Sequence, residues 1–119
     1  MKMTYVTLRV GSIEKTQAFY EDILGFEQER VINPRPGMTI VFLKGRDSSG
    51  VELIQEEEFT PRANNVVLTF RVEDMAATLE FLKEKQIPLL MGPVPIGGGG
   101  QMVQIADPDG QMIGLIDVF

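Results

Sequence analysis

The chain has 119 residues, 44% of them hydrophobic, and its 11 basic and 17 acidic residues give a formal net charge of −6. It contains no cysteine and no histidine, which excludes disulfides, thiolate nucleophiles, Ser-His catalysis and imidazole metal ligands. The negative charge argues against a nucleic-acid partner, and no apolar run approaches the ~20 residues of a membrane span. Because the first residues also lack a signal-peptide pattern, we expect a cytoplasmic protein that binds no membrane.

The first half of the chain is predicted to fold as a βαβββ module. Residues near the start alternate between apolar and polar, as in a half-buried strand, and an amphipathic stretch follows. Ser12 is the predicted N-cap of that helix, and Gly25 is predicted to follow its C-terminus. In chain order the elements are a strand at about 3–10, a helix at about 13–24, and strands at about 26–33, 38–43 and 51–55.

The second half repeats this pattern. The predicted elements are a strand at about 66–72, a helix at about 74–86, and strands at about 88–94, 101–106 and 111–118. Ile87-Pro88 is predicted to stop the helix. The four glycines at 97–100 match neither a Walker motif nor a dinucleotide fingerprint, so we predict a hairpin loop there.

The two halves are related by a constant offset of 62 residues. Residues 6–10 (VTLRV) correspond to residues 68–72 (LTFRV). The same offset aligns Phe19 with Phe81, Gly37 with Gly99, Val41 with Val103 and Leu53 with Leu115. A single register from the first strand to the last indicates a duplication. We therefore expect one α+β domain over residues 1–119, made of a module at 1–57 and a module at 65–119 joined by a polar linker at 58–64.

Three short motifs accompany the duplication: Phe19-Tyr20 before Leu24-Gly25-Phe26, Val51-Glu52-Leu53, and Asp107-Pro108-Asp109-Gly110. With these motifs the whole chain resembles the vicinal oxygen chelate superfamily, which includes glyoxalases, bleomycin-resistance proteins and dioxygenases. It implies two tandem βαβββ modules that form a curved mixed sheet around a cleft. The cleft is expected either within one chain or between modules exchanged by two chains.

Strand alternation predicts which side chains line that cleft. Val6, Leu8 and Val10 are apolar and are predicted to pack under the helix, so the intervening residues should face the cleft. Applied to the other strands and carried across the repeat, this assigns to the site Glu52 together with Tyr5, Thr7, Ile40, Phe42, Ile54, Val67, Thr69, Met102, Gln104, Met112 and Gly114. The apolar members form either the floor of a ligand site or ordinary packing at a module or dimer interface.

The resemblance also implies where a metal would bind. Metal-dependent members hold a divalent ion with four side chains, usually His, Gln or Glu, from the first and fourth strands of the modules. Those positions fall on Tyr5, Glu52, Val67 and Gly114. Only Glu52 is an ordinary ligand, because a neutral phenol is a poor one and valine and glycine offer no side-chain donor atom. We therefore predict no metal and no cofactor.

The predicted function is that of a metal-free protein that binds a small molecule, as in antibiotic sequestration. An apolar cleft with one carboxylate, Glu52, favours a flat ligand that is aromatic and cationic. Arg9 and Arg71 either bind an anionic group or pair with acidic neighbours. The alternative function is a superfamily enzyme (a lyase, isomerase or dioxygenase) in which Glu52 is the general base or a residual metal ligand.

Glu52 is either functional or a relic of an ancestral metal site, and in the relic case it is predicted to be hydrogen-bonded to Tyr5. The chain is predicted to form a two-fold homodimer, because each module leaves a sheet face and a strand edge uncovered.

Overall fold

The computed structural model of the protein describes residues 3–47, 49–59 and 66–118. The chain divides into two compact units, Met1–Arg62 and Ala63–Phe119, and each contains one βαβββ module. Residues 60–64 of the predicted linker lie outside the described residues. Among the helices of the described ranges, none is long and apolar enough to cross a membrane.

The first module is a four-stranded mixed sheet with one helix. Its elements are β1 (Val6–Arg9), α1 (Ile13–Asp22), β2 (Glu27–Ile32), β3 (Thr39–Lys44) and β4 (Gly50–Gln55). The strand order is β1-β4-β3-β2, in which β1 and β4 are parallel and the other neighbours are antiparallel. This order makes β4 an inner strand of the sheet. Helix α1 packs against β3 and β4 on one side of the sheet.

The second module has the same topology. Its elements are β5 (Val67–Arg71), α2 (Met75–Glu84), β6 (Met91–Pro95), β7 (Gln101–Ala106) and β8 (Met112–Ile116), and its strand order is β5-β8-β7-β6. Strands β5 and β8 are parallel, and the remaining pairs are antiparallel. Two mixed four-stranded sheets with two helices confirm the predicted α+β fold of duplicated βαβββ modules.

The 62-residue offset holds in the backbone as well as in the sequence. The bounds of α1 and α2, and those of β3 and β7, differ by that offset at both ends. Equivalent turns are closed by equivalent bonds, from the Gly45 amide to the Ser49 carbonyl (2.7 Å) and from the Asp107 amide to the Gln111 carbonyl (3.0 Å). The duplication therefore preserves strand register and turn geometry.

The second strands of the modules, β2 and β6, do not follow the 62-residue offset. Strand β6 begins at Met91, later than the predicted start at about residue 88, and its pairing with β7 is irregular between Met91 and Val94. Gly92 has a φ of 90° there, and a Cβ at this position would collide with the carbonyl oxygen of Met102. Proline also supplies no backbone N–H to a ladder, and both Pro93 and Pro95 lie in this edge strand. These residues explain the late and irregular start.

Both helices begin with a capping side chain. Ser12 Oγ accepts from the Lys15 amide at 3.3 Å, which confirms the predicted N-cap, and Asp74 Oδ1 accepts from the Ala77 amide at 3.0 Å. The second helix ends at Glu84, two residues before the predicted end at about residue 86. Gln86 has a φ of 59°, and such a left-handed residue ends a helix before the proline is reached.

One face of each sheet is apolar and buried, as alternation predicts. Four side chains of β3 and β4 and four of β7 and β8 are at most 5% exposed: Val41, Leu43, Val51, Leu53, Val103, Ile105, Ile113 and Leu115. In the first module the fully buried Tyr20 of α1 adds edge-to-face ring contacts with Phe19 and Phe26. This helix-side packing leaves the opposite face of each sheet free to carry a site.

Candidate functional site

The face of the first sheet opposite α1 is called here the first open face. Side chains paired across neighbouring strands point to the same side of a sheet. The register therefore places four of them in one row across β1, β4, β3 and β2: Thr7, Glu52, Phe42 and Arg30. The adjacent row consists of Arg9, Ile54, Ile40 and Ile32. The first open face thus combines charged and apolar side chains.

Glu52 is the buried carboxylate of this face. It lies on the inner strand β4, and only 8% of the residue is exposed. Thr7 Oγ1 donates a hydrogen bond of 2.7 Å to Glu52 Oε1. Withdrawal of a carboxylate from water is costly unless hydrogen-bond donors compensate for it, and Thr7 is one such donor. A ligand group that donates to Glu52 would add to this compensation.

The partner of Glu52 differs from the one predicted for a relic site. Thr7 lies directly opposite Glu52 in the parallel ladder, whereas Tyr5 precedes the first residue of β1. The Tyr5 ring instead packs edge-on against Phe42, with 5.5 Å between ring centroids and an interplanar angle of 83°. Tyr5 is 44% exposed and Thr7 is exposed as well, so both lie at the rim of the face, on or beside the edge strand β1.

Arg30 also belongs to this face, although strand alternation does not predict it. Its guanidinium carbon lies 4.4 Å from the centroid of the Phe42 ring. The pairing of β2 with β3 shifts between Gln28 and Arg30, and an extra residue of this kind changes the side to which later residues point. The run of polar residues at 27–30 contains no alternation that would reveal the shift. No signal in the sequence could have assigned Arg30 to this face.

A separate polar cluster lies at the end of β4. Glu56 pairs with Arg35 at 3.1 Å and with Arg9 at 3.7 Å, which agrees with the expectation that Arg9 pairs with an acidic neighbour. A cavity of about 490 Å³ lies beside the loop between β2 and β3, and Asn33, Arg35, Thr39 and Gln55 are among its lining residues. Because Gln55 Oε1 already accepts from the Ile13 amide at 2.7 Å, part of this polar lining serves to anchor α1.

The corresponding second open face, opposite the buried side of the second sheet, has different chemistry. Its central row consists of Thr69, Gly114, Gln104 and Met91. The flanking rows hold Val67 with Met112 and Arg71 with Ile116 and Met102. A Cβ at Gly114 would lie 3.1 Å from Thr69 Oγ1 and 3.4 Å from Val67 Cγ1. There is consequently little room for a side chain where the first module has Glu52.

Each predicted site residue lies on the open side of its own module. Tyr5, Thr7, Phe42 and Glu52 come together in the first module, as the pairings and ring contacts above show. In the second module the register groups Val67, Thr69, Gln104 and Gly114. The apolar members Ile40, Ile54, Met102 and Met112 are half-buried.

Residues 2–115 match the sequence model of the Glyoxalase/Bleomycin resistance protein/Dioxygenase superfamily. The chain belongs to this superfamily. It is 27% identical to lactoylglutathione lyase of Haemophilus influenzae, in a match that covers 98% of this chain and 93% of that protein. It is 28% identical to the mitochondrial methylmalonyl-CoA epimerase of Homo sapiens, with 90% of this chain and 66% of that protein covered.

Solved structures of superfamily members have the same fold. The glyoxalase family protein from Enterococcus faecalis is 28% identical to this chain with a TM-score of 0.81, and the match covers 98% of this chain and 97% of that one. Glyoxalase I from Zea mays has a TM-score of 0.84 at 24% identity, over 98% of this chain and 44% of that one. At this identity the likeness to the maize enzyme concerns the fold alone.

The residues present do not fit the metal site that is typical of the superfamily. Of its four expected ligand positions, Glu52 alone has an ordinary metal-binding side chain, and one oxygen of that carboxylate accepts from Thr7. Tyr5 is a half-exposed phenol, and neither Val67 nor Gly114 has a donor atom. Within the described part of the chain, no group of three or more Asp or Glu residues is placed to hold a metal ion. A divalent ion bound by four side chains therefore does not suit this chain.

Proposed function

We propose that this superfamily member binds a small organic molecule on its first open face without the help of a metal. The observation that carries the proposal is Glu52, a carboxylate that is only 8% exposed on an otherwise open sheet face. Thr7 is its side-chain hydrogen-bond donor. A cationic or hydrogen-bond-donating group of a ligand would also bind the Glu52 carboxylate and so offset the cost of its burial.

The surroundings of Glu52 favour a flat, basic and aromatic ligand. Phe42 lies directly beside Glu52 in the row, and Ile40 and Ile54 add apolar surface in the next row. Ligand sites are usually lined by apolar and aromatic groups, with a few polar groups that fix orientation. The net charge of −6 also favours a cation over an anion at long range. Sequestration of a basic antibiotic is a function of this kind.

A thermal-shift screen tests the proposal. Basic aromatic compounds, including glycopeptide antibiotics, are compared with organic acids and with neutral isosteres. We expect the basic compounds to stabilise the protein most, and a ligand at 100 times its dissociation constant adds about 2.7 kcal/mol. Glu52→Gln should weaken a cationic ligand by roughly tenfold or more, because hydrogen bonds to charged groups contribute about 1.5–3 kcal/mol. The same change should affect a neutral isostere by less than about threefold.

Two further variants locate the binding. Phe42→Ala should weaken cationic and neutral ligands alike, because it removes apolar surface without removing charge. Phe81→Ala is the matched control, because Phe81 lies on helix α2 and belongs to neither open face, and we expect it to leave the affinity unchanged. Anions as the best ligands, with affinities that depend on Arg9 or Arg71 and not on Glu52, would contradict the proposal.

A second candidate function is catalysis, with Glu52 as a general base. It is supported by the names of two relatives, a lyase and an epimerase. Turnover of lactoylglutathione or methylmalonyl-CoA, measured with and without added divalent metal, tests this alternative. Activity that is lost in Glu52→Gln would favour the enzyme over the binding protein.

We further propose a two-fold homodimer and a cytoplasmic location, as expected from the sequence. Several apolar side chains are unusually accessible, among them Val31 (44% exposed), Val66 (55%) and Leu90 (54%). Apolar surface of this kind is often covered by a protein partner. Light scattering at micromolar concentration should give twice the 13.3 kDa mass of the chain, and a monomer mass would contradict the dimer.

A further inference from the structure

Arg30 covers one face of the Phe42 ring. The guanidinium carbon lies 4.4 Å from the ring centroid, within the distance at which a cation and an aromatic ring attract each other. Phe42 separates Arg30 from Glu52 in the row. Neighbouring strands are about 4.8 Å apart, so the backbones of Arg30 and Glu52 are roughly 10 Å apart. A small aromatic molecule that contacts Glu52 and Phe42 would therefore reach Arg30.

Among the described residues, the Phe42 ring is the side-chain contact of Arg30. The ion pairs found in the described ranges involve Arg9 and Arg35, which share Glu56, and do not involve Arg30. Arg30 is exposed and lies on β2, at the edge of the sheet. A cation–π contact at an exposed site is weak, so the side chain can leave the ring for solvent at little cost.

We infer, on the basis of the proposed function, that Arg30 determines the charge specificity of the first open face. Its guanidinium occupies the position over Phe42 that a basic aromatic ligand anchored at Glu52 needs. Two cations on one ring repel each other, so a basic ligand must displace Arg30 before it can stack. An anionic ligand, in contrast, is attracted by Arg30 and leaves it in place. Arg30 thus weakens the binding of cations and favours anions, opposite in effect to Glu52.

Three tricyclic probes of similar size test this inference by calorimetry: cationic proflavine, neutral acridone and anionic anthracene-9-carboxylate. Arg30→Gln removes the charge and keeps a polar side chain of similar reach. We expect it to tighten proflavine about two- to fivefold, the factor that corresponds to an exposed cation–π contact. It should weaken anthracene-9-carboxylate and change acridone by less than about twofold.

Two variants separate the position of Arg30 from its charge. Arg30→Lys keeps the positive charge on this strand and should behave like the wild type. Arg46→Gln changes the net charge by the same amount in an exposed turn and should leave all three affinities unchanged. Equal tightening of proflavine by Arg30→Gln and Arg46→Gln would overturn the inference, because it would reflect net charge alone.

An NMR measurement reports the displacement itself. In the free protein the Arg30 side-chain protons should show an upfield ring-current shift that disappears in Phe42→Leu. Saturation with proflavine should abolish the same shift in the wild type. Proflavine binding that depends on Glu52 and Phe42 while Arg30 stays shifted would overturn the inference and leave the proposed function intact. If none of the probes binds wild type or Arg30→Gln, the proposed function fails, and the inference fails with it.

Discussion

Thr7 and Thr69 hold equivalent positions on β1 and β5, yet they face different neighbours. Thr7 donates to the buried carboxylate of Glu52, whereas Thr69 lies opposite Gly114, where a Cβ would lie 3.1 Å from its hydroxyl oxygen. The helix side of the neighbouring strands β4 and β8 has not diverged in this way. Leu53 and Leu115 are equivalent there, and both are at most 4% exposed.

This difference between the two faces has a physical origin. A helix-side residue must fill a closely packed interior, where even small changes in volume are destabilising. A residue of the open face meets fewer neighbours and is free to change its chemistry after duplication. We therefore expect the open faces to carry the functional differences between the modules, and the buried faces to carry the stability common to both.

Substitutions on the two faces of one strand should differ most in their effect on stability. Leu53→Ala removes a fully buried side chain of β4 and should lower the free energy of unfolding by about 2–5 kcal/mol. Ile54→Ala, at the next residue on the open face, should cost less than half as much because Ile54 is only half-buried. Urea unfolding measures both, and Leu115→Ala with Ile116→Ala repeats the pair in the second module. Equal costs within either pair would contradict the assignment of faces.

Replacement of the two equivalent threonines should have different effects on stability. Thr7→Val removes the donor to a buried carboxylate and should destabilise the protein by about 1–3 kcal/mol. Thr69→Val is the matched control and should change stability by less than about 0.5 kcal/mol, because Gly114 offers no side-chain acceptor. The two values come from the same urea experiment. Similar values for the two variants would show that the Thr7–Glu52 bond adds no stability.

Added divalent metal ions should not change the stability of the protein. Since neither module supplies a pair of ordinary ligands at the positions used in the superfamily, added Zn²⁺, Ni²⁺ or Mn²⁺ should not shift the thermal transition. Elemental analysis after dialysis should find far less than one metal per chain. Near-stoichiometric metal that disappears in Glu52→Ala would contradict this prediction.

Much of the fold follows from local patterns in the sequence. Alternation assigned Glu52 and Ile54 to the open side, because side chains of a strand point to opposite faces with a period of two. The offset of 62 residues predicted the second module from the first. Ser12 was recognisable as a helix cap, because a cap needs only its own side chain and an amide three residues later. Each of these features depends on residues close together in the chain, or on the repeat.

The sequence by itself thus determined the duplicated architecture, the two faces of each sheet and the position of Glu52. Only the tertiary structure decided what surrounds that carboxylate. Thr7, and not Tyr5, is the donor to Glu52 because β1 and β4 pair in a register that places Thr7 opposite it. Arg30 reaches Phe42 because an irregularity in an edge strand turns it to the open side. Both contacts depend on strand pairing between distant residues, which alternation within a single strand does not specify.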